Sequence, residues 1–472
     1  MDSAAIGARQ VRRIRRWLSS LRRQADGRLP CSESPAGVAQ LAEQPSCKRQ
    51  VSGSNPLTGS TYQAYSERGA IVQIVIVTAG SRGDVAPFTG LGQRLRQAGH
   101  HVTVAAHEPF ADLVRGCGLE HRPLPGDPRA LIRARTQAPS VEAGRAVTVV
   151  FLEQLGEGIA AAVSGADMLL TALGPAPLSR LAAAALGIPA IGTYLAPAIP
   201  TGEFALPGSP PPGQPGRRGN VEAGRALLGQ ADSLYASVLT RLRAKLGLAR
   251  TSRRGTAGWP VCHGFSPVVV PRPADWPPEV SVTGYWWPAP LAGWHPPADL
   301  VAFLRAGPAP VFIGFGSMAP GHGERLGELI AAAVASAGVR AVVQTGWAGL
   351  NLSGDDLLAV GDLPHEWLFP RMAAVVHHAG AGTAGAGLRA GVPAVAVPVM
   401  ADQPFWAERL HRLGIAPRPI PFASLTAESL AGAITAAVTT PGYRHRAAEV
   451  ARRIAAEDGA AAVLARVREL AD

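Results

Sequence analysis

The sequence predicts an α/β chain built as two Rossmann-like, doubly wound parallel-sheet domains that face each other across a cleft. Three observations carry this prediction. Apolar, β-branched runs that end in glycine or a polar turn recur along residues 71–195 and again along 311–398, with segments of helical spacing between them. A stretch dense in Pro and Trp, WPPEVSVTGYWWPAPLAGWHPP (276–297), separates the two series. The length, 472 residues, exceeds one ordinary domain, and an apolar content of 47% supplies two cores.

Taken in order, IVQIVIVTAG (71–80) reads as a buried parallel strand, and DVAPFTGLGQRLRQAG (84–99) as a helix closed by glycine. HHVTVAAH (100–107) is a second strand and 108–116 a short helix. DMLLTA (167–172), PLSRLAAAALG (177–187) and IPAIGTYL (188–195) continue the alternation, which argues for a parallel sheet wound on both faces. Residues 196–220 are too rich in Pro and Gly for regular elements and are expected to form a long surface loop, with a helix following at about 221–247. The second alternation is VFIGFGS (311–317), a helix, VRAVVQTGW (339–347), LLAVGDLP (357–364), AAVVHH (373–378), a helix, VPAVAVP (392–398), then helices to the end. The expected division is an extension over 1–70, an acceptor-binding domain over 71–275, a linker over 276–300 and a donor-binding domain over 301–472.

Composition excludes several classes. The net charge is +11, but residues 1–70 hold 11 Lys/Arg against 5 Asp/Glu, so the remaining chain carries only +5. No basic run with interleaved aromatics appears there, which speaks against a nucleic-acid partner. No window reaches the ~18 uninterrupted apolar residues of a membrane span. Arg interrupts the first 30 residues throughout, so they lack the apolar core of a secretory signal. Cys31, Cys47, Cys117 and Cys262 show no paired metal spacing and suit a reducing, cytoplasmic compartment.

The chemistry concentrates in residues 377–403, HHAGAGTAGAGLRAGVPAVAVPVMADQ. A strand runs into a glycine-rich turn, where Gly380 and Gly382 let a ligand approach the backbone. A helix expected to begin near Thr383 points its positive end at that turn, which makes an anion site. His378 can donate to a phosphate, and Thr383 can add its hydroxyl. The next strand ends at Asp402 and Gln403, whose acceptors and donors suit vicinal hydroxyls. Carboxyl ends of parallel strands share one edge, so both groups face one crevice. A ligand with phosphate at one end and a polyol at the other is a nucleotide-sugar. Singly, each piece has a plainer reading: the glycines a turn, His377 a packing residue, Asp402-Gln403 a helix cap. Their order and spacing together favour the ligand. After the first strand comes GSRGDVAP (80–87), in which Gly80 and Gly83 make a flexible turn. Asp84 there is a helix cap or, facing such a crevice, a general base. His107 and Trp347 also fall at strand ends, where packing is the plainer role.

These motifs resemble the donor-binding signature of the UDP-glycosyltransferase superfamily (glycosyltransferase family 1, of GT-B fold), and within it bacterial sterol-glucosyltransferase-like and antibiotic glycosyltransferases. The resemblance runs from about residue 71 onward. HHAGAGT (377–383), DQPFWAERL (402–410), GFGSM (314–318) and GSRGD (80–84) are its most specific parts; PTGEF (200–204), GYWW (284–287) and PHEWLFPRM (364–372) suit the sterol-type branch. It implies that His378, Ser317 and Thr383 contact the donor diphosphate. Gly380 and Gly382 lie in the same turn, and Arg82 and Gly83 are candidates to assist from the first half, an exposed loop arginine being the plainer reading of Arg82. It implies that Asp402 and Gln403 bind sugar hydroxyls, that 362–367 lies near the base, and that Asp84 is the catalytic base. Two positions depart from the pattern. Plant-type members grip the ribose with a Glu where this chain has Ala386, which leaves UDP against dTDP open. The usual second glycine after the paired histidines is Ala379, whose methyl is expected to be tolerated.

The expected function is therefore inverting transfer of a hexose from a UDP- or dTDP-sugar, UDP-glucose favoured, to a hydroxyl of a hydrophobic acceptor: sterol-like, polyketide or other natural product, or lipid. A nucleotide-sugar epimerase of the same architecture and a non-catalytic nucleotide-sugar-binding partner are the alternatives. No cofactor is expected beyond the donor, and no obligatory metal, because no acidic pair has metal-ligand spacing. Membrane contact is expected to be peripheral at most. The acceptor should lie against the first domain, with 196–220 as one wall.

Residues 1–70 have no helical or strand period. Val38–Leu41 can be encoded by GTA GCT CAG CTG and Gly53–Pro56 by GGT TCG AAT CC, which resemble the D-arm and T-arm of a tRNA at about their natural spacing. The expectation is that this segment is a tRNA gene read as protein and that the true start lies near Ala70; the alternative reading is a genuine basic arm for a membrane or nucleic acid.

Overall fold

A computed structural model describes residues 70–209, 216–248, 259–316, 323–346, 350 and 352–471. The expected extension, apart from Ala70, lies outside the described residues, as do Ser317 and Trp347.

The first alternation forms a sheet of β1 (Gln73–Val77), β2 (His101–His107), β3 (Glu120–Leu124), β4 (Met168–Thr171), β5 (Ala190–Tyr194), β6 (Val261–His263) and β7 (Val280–Val282). Their order is β3-β2-β1-β4-β5-β6-β7, and every neighbouring pair is parallel. The strand order reverses between β1 and β4, a switch point at which a crevice opens beyond the carboxyl ends. β1 is buried from Ile74 to Val77, as a strand covered by helices on both faces must be. The turn after it, leading into the Arg82–Gln97 helix, opens onto that crevice.

The second sheet has β8 (Val311–Gly314), β9 (Ala341–Gln344), β10 (Ser353–Gly354), β11 (Leu357–Val360), β12 (Val375–His377) and β13 (Ala394–Ala396), in the order β10-β11-β9-β8-β12-β13. All pairs are parallel except β10 with β11. Here the order reverses between β8 and β12, so the turns after Gly314 and after His377 flank the second crevice. The Ala381–Ala390 helix follows β12 and is closed by Gly391 in the left-handed conformation, φ 68°.

Two expected boundaries move. Val280–Val282 was expected within the linker but pairs with β6, so the first domain extends through residue 282. The Gly459–Ala471 helix was expected in the second domain, yet Val463, Leu464 and Val467 are buried in the core of the first beside Ile74, Phe88 and Trp286. Burying those three side chains contributes roughly 1.5–3 kcal/mol each, enough to bind the returning chain to the first half. The crossing is close: a Cβ on Gly459 would lie 2.4 Å from the Gly284 carbonyl oxygen, and one on Gly385 would lie 2.7 Å from the Tyr285 ring. A mixed cluster joins Tyr194, Phe265 and Trp276 of the first half to Ala384, Leu388 and Trp406 of the second.

Candidate active site

Beyond β1 the chain turns through residues 78–81 into the Arg82–Gln97 helix. Ser81 occupies the N-cap and Asp84 the third helical position, so the capping place considered for Asp84 belongs to Ser81. Asp84 Oδ2 accepts from the Ser81 N–H at 2.6 Å and from Ser81 Oγ at 2.9 Å. Thr78 Oγ1 donates to the Asp84 carbonyl at 2.6 Å. A Cβ on Gly80 would sit 2.3 Å from Asp84 Oδ2, and its φ is +140°, so only glycine admits the carboxylate there. Oδ1 has no hydrogen-bond partner among the described residues and is the oxygen left to take a proton. Burial pushes the Asp84 carboxyl above its ordinary value, the Ser81 hydrogen bonds pull it back, and the Asp402 charge adds to the rise. A carboxylate shifted this way is a stronger base than an exposed one.

Beyond β12 the arrangement is the reverse. The Ala381–Ala390 helix starts two residues before the expected Thr383, so Gly382 and Thr383 both lie in its first turn. Its N-cap is Gly380, and its first turn holds no acidic residue. The N–H groups of Ala381, Gly382 and Thr383 therefore point out of the helix end unpartnered within it. A Cβ on Gly382 would meet nothing within 4 Å. The His378 ring is wedged between two glycines: a Cβ on Gly380 would lie 2.5 Å from Nε2, and one on Gly316 would lie 3.2 Å from Cε1. Burial holds the His378 pKa down to about 4, so the ring is neutral near pH 7, with one N–H donor. Its Nδ1 is buried without a partner among the described residues.

His377 is fully buried, as its packing reading expects. Its Nδ1 also accepts from the Ala379 N–H at 3.0 Å. Ala379 stands at φ 62°, in the left-handed region, with its methyl buried. The extra methyl is thus accommodated but not free, since that conformation costs a non-glycine residue about 1–2 kcal/mol. Among the described residues Ala401, φ 56°, is the other non-glycine in this region. One strained alanine adjoins His378 and the other adjoins Asp402, and such strain gathers at functional sites.

Asp402 opens the Gln403–Arg412 helix, but its carboxylate does not cap it; Oδ2 accepts from Trp406 Nε1 at 2.8 Å. Burial raises its carboxyl as well. Gln403 is buried, and its Oε1 accepts from the N–H groups of Val399, at 2.8 Å, and Met400, at 3.0 Å. Two donors on one atom fix the amide orientation, so Nε2 is the group left for a ligand.

The two crevices meet. Asp84 of the first half senses the charge of Asp402 in the second. His365 opens the short His365–Leu368 helix and is held near 4 by burial, then by the charges of Arg82 and His378. It stacks on Phe369 at 4.2 Å. Arg82 and Gly83 lie exposed in the first turn of their helix. Sequence reasoning reached His365 only as part of the 362–367 segment, and it missed Ser81 and Trp406, which hold the two carboxylates. The signals were present: Ser81 stands three residues before Asp84 and Trp406 four after Asp402, both helical neighbours. His107 is buried against Phe151, ring centroids 5.6 Å apart, in keeping with packing.

The expected surface loop is partly interior. Ala198, Thr201 and Leu206 are buried. Thr201 Oγ1 and the Gly202 N–H donate to the Asp275 carboxylate at 2.6 and 2.8 Å. Phe204 reaches across to the second half, 5.3 Å from Phe405, with the Arg409 guanidinium 5.0 Å from its ring. Among the described residues no helix is long and apolar enough to cross a membrane, and no three His, Cys, Asp or Glu side chains are grouped to hold a metal ion.

Residues 74–158 match the glycosyltransferase family 28 N-terminal domain, and residues 340–470 match the erythromycin biosynthesis protein CIII-like C-terminal domain. O-mycaminosyltylonolide 6-deoxyallosyltransferase of Streptomyces fradiae is 36% identical over 413 residues, which cover 82% of this chain and 95% of that one. The chain belongs to the GT-B glycosyltransferase superfamily. A second relative of this glycosyltransferase is the sterol 3-beta-glucosyltransferase UGT80A2 of Arabidopsis thaliana, 35% identical over 413 residues, 83% of this chain and 64% of the relative. The chain thus spans somewhat less than two thirds of that protein's length. The glycosyltransferase VinC, solved in complex with DTDP, shares the fold at a TM-score of 0.60 and 20% identity, covering 84% of this chain and 99% of VinC.

Proposed function

We propose that this glycosyltransferase moves a hexose from a nucleotide-sugar, UDP-glucose before dTDP-sugars, to a hydroxyl of a hydrophobic acceptor with inversion at the anomeric carbon. The observation that carries the reading is the pairing of turns: a proton-accepting Asp84 on one side, an uncapped helix end with neutral His378 on the other. Asp84 Oδ1 takes the proton of the acceptor hydroxyl. That oxygen attacks the anomeric carbon from the face opposite the diphosphate, the bond to the diphosphate oxygen breaks, and the electron pair leaves with the diphosphate. The N–H groups of Ala381–Thr383, including Gly382, with the Thr383 hydroxyl and the His378 N–H, stabilise the growing charge. Gly380 leaves room for that approach, Ser317 adds its hydroxyl, and Arg82 and Gly83 flank the diphosphate from the first half. Asp402 and Gln403 Nε2 hold the sugar hydroxyls. These groups carry the leaving-group charge without a cofactor or obligatory metal.

The acceptor lies against the first domain, with residues 196–209 as one wall. The names of the two relatives support a sterol-like or natural-product acceptor. Ala386 places no carboxylate on the ribose, and VinC was solved with DTDP, so dTDP-sugars belong among the donors tested. The reading includes a cytoplasmic location, which the buried free thiols of Cys117 and Cys262 support, with peripheral membrane contact at most and no nucleic-acid partner. Incubation with labelled UDP-glucose and dTDP-glucose and a panel of sterols, macrolides and lipids tests it. Labelled glycoside of inverted configuration is the expected product. Epimerised donor, or binding without turnover across the panel, would overturn it.

A further inference from the structure

We propose that His377 is a positioning residue: its Nδ1 bond from the Ala379 N–H holds the left-handed turn that aims His378 and the following helix end at the donor diphosphate. The proposal rests on the reading of His378 given above. His377 is the last residue of β12, paired with Gly314 on one side and Ala396 on the other, so its backbone is fixed by two strands. From that anchor the ring reaches forward two residues to the Ala379 N–H at 3.0 Å. Ala379 is fully buried, so without this acceptor its N–H has no water to turn to. An alanine freed from the bond relaxes toward negative φ, and its neighbours on both sides, His378 and Gly380, turn with it.

A side chain that accepts from the N–H two residues on is the bond an Asx turn makes. A histidine ring supplies it here with less freedom. Packing alone does not explain the choice, because the ring's Nε2 is buried without a partner among the described residues, a cost that a phenyl ring of similar size avoids. The neighbouring strand end is built alike: Ala401 is left-handed beside Asp402, and the buried Gln403 Oε1 gathers the N–H groups of Val399 and Met400 before it.

Two substitutions separate ring from acceptor. His377→Phe keeps the ring and removes the acceptor; His377→Asn keeps an acceptor and loses the ring. Ala379→Gly makes the left-handed turn free of strain. Calorimetry with UDP and dTDP, using whichever the wild type binds, should show affinity falling about tenfold or more in His377→Phe and staying within about threefold in His377→Asn, whatever happens to the melting temperature. Ala379→Gly added to His377→Phe should recover most of the loss, which a purely structural role for the ring would not allow. Wild-type affinity in His377→Phe, or no recovery with glycine in a folded protein, overturns the proposal. Should His377→Phe not fold, the asparagine variant decides: a tenfold loss there overturns it. His378→Ala is the separate control. If it binds nucleotide like wild type, the reading of His378 fails. Amide exchange at residue 379, slow in wild type and His377→Asn and fast in His377→Phe, then still tests the positioning bond.

Discussion

The turns after β1 and after β12 are the same strand–turn–helix unit put to opposite uses. Both are glycine-rich, both sit at a switch point of a parallel sheet, and both open a helix onto the cleft. In the first, the positive helix end is already occupied: Asp84 folds back onto Ser81, and its charge sits where an anion would bind. In the second, the cap is a glycine, no acidic residue occupies the first turn, and the N–H groups remain free. One acidic side chain at the third helical position is what distinguishes the first turn from the second, and the proposed roles of base and anion site rest on that difference. The comparison also explains the two glycines: Gly80 makes room for a carboxylate of the protein, whereas Gly382 faces open space that a ligand can enter.

The largest expected effect comes from removing the charge in the first turn. Asp84→Asn keeps a side chain that can accept from Ser81 but cannot take a proton, so turnover should fall by about 10²–10⁴ with nucleotide affinity and melting temperature nearly unchanged. Near-wild-type turnover would return Asp84 to a capping role. The next effect comes from installing that charge in the second turn. A Cβ at Gly382 meets nothing of the protein within 4 Å, and Gly382→Asp should cost UDP or dTDP affinity about tenfold to a hundredfold, while Gly382→Asn, of the same shape without the charge, costs less. Equal behaviour of the two variants in calorimetry would show that the helix end does not face the diphosphate. Asp402→Ala tests the division of labour within the second half. Transfer should drop about tenfold or more, the range for a lost charged hydrogen bond, with free nucleoside diphosphate affinity held within about twofold. Equal losses would place Asp402 outside the sugar site.

The smallest effect of a single residue is on stability against pH. Asp84 and Asp402 have raised carboxyls, so above 3.8 the folded state holds protons that the unfolded chain has released, and stability falls as pH rises through the raised values. Histidine works the other way. His365, His377 and His378 are held to about 4, 3 and 4, and His100, His107, His121 and His263 are also lowered. Between those values and 6.5 the unfolded chain binds more protons, so stability falls as pH falls. Glu457 is also raised by burial, so seven histidines stand against three carboxyls, and the histidines decide the sign. Melting temperature should decline steadily from pH 6.5 to 4.5, and His378→Asn should remove a share of that slope. A flat or rising melting temperature over the same range would contradict it.

The sequence by itself determined the alternation of strands and helices, the two switch-point turns and the order of the chemical groups along them. Those features are written in local periods and in glycine placement, which any short window displays. β3, β6 and β7 were not legible, because EHRPL, VCH and VSV are too short or too polar to show a strand period. Only pairing with a neighbouring strand makes them strands. The tertiary structure alone decided that the last helix returns to the first half, that Val280–Val282 completes the first sheet, and that the supposed surface loop is buried through Thr201 and Leu206. It also decided three details of the site: Ala379 is left-handed, the Gln403 oxygen is spent on backbone, and the Asp402 charge adds to the rise of the Asp84 carboxyl across the cleft. The cross-cleft pair depends on which distant groups come within Coulomb range, whereas the Ala379 and Gln403 bonds join near neighbours and turn on a backbone conformation that residue type alone does not display. Sequence spacing fixes that range only within a helical turn or along one strand, and the cleft joins residues more than three hundred positions apart.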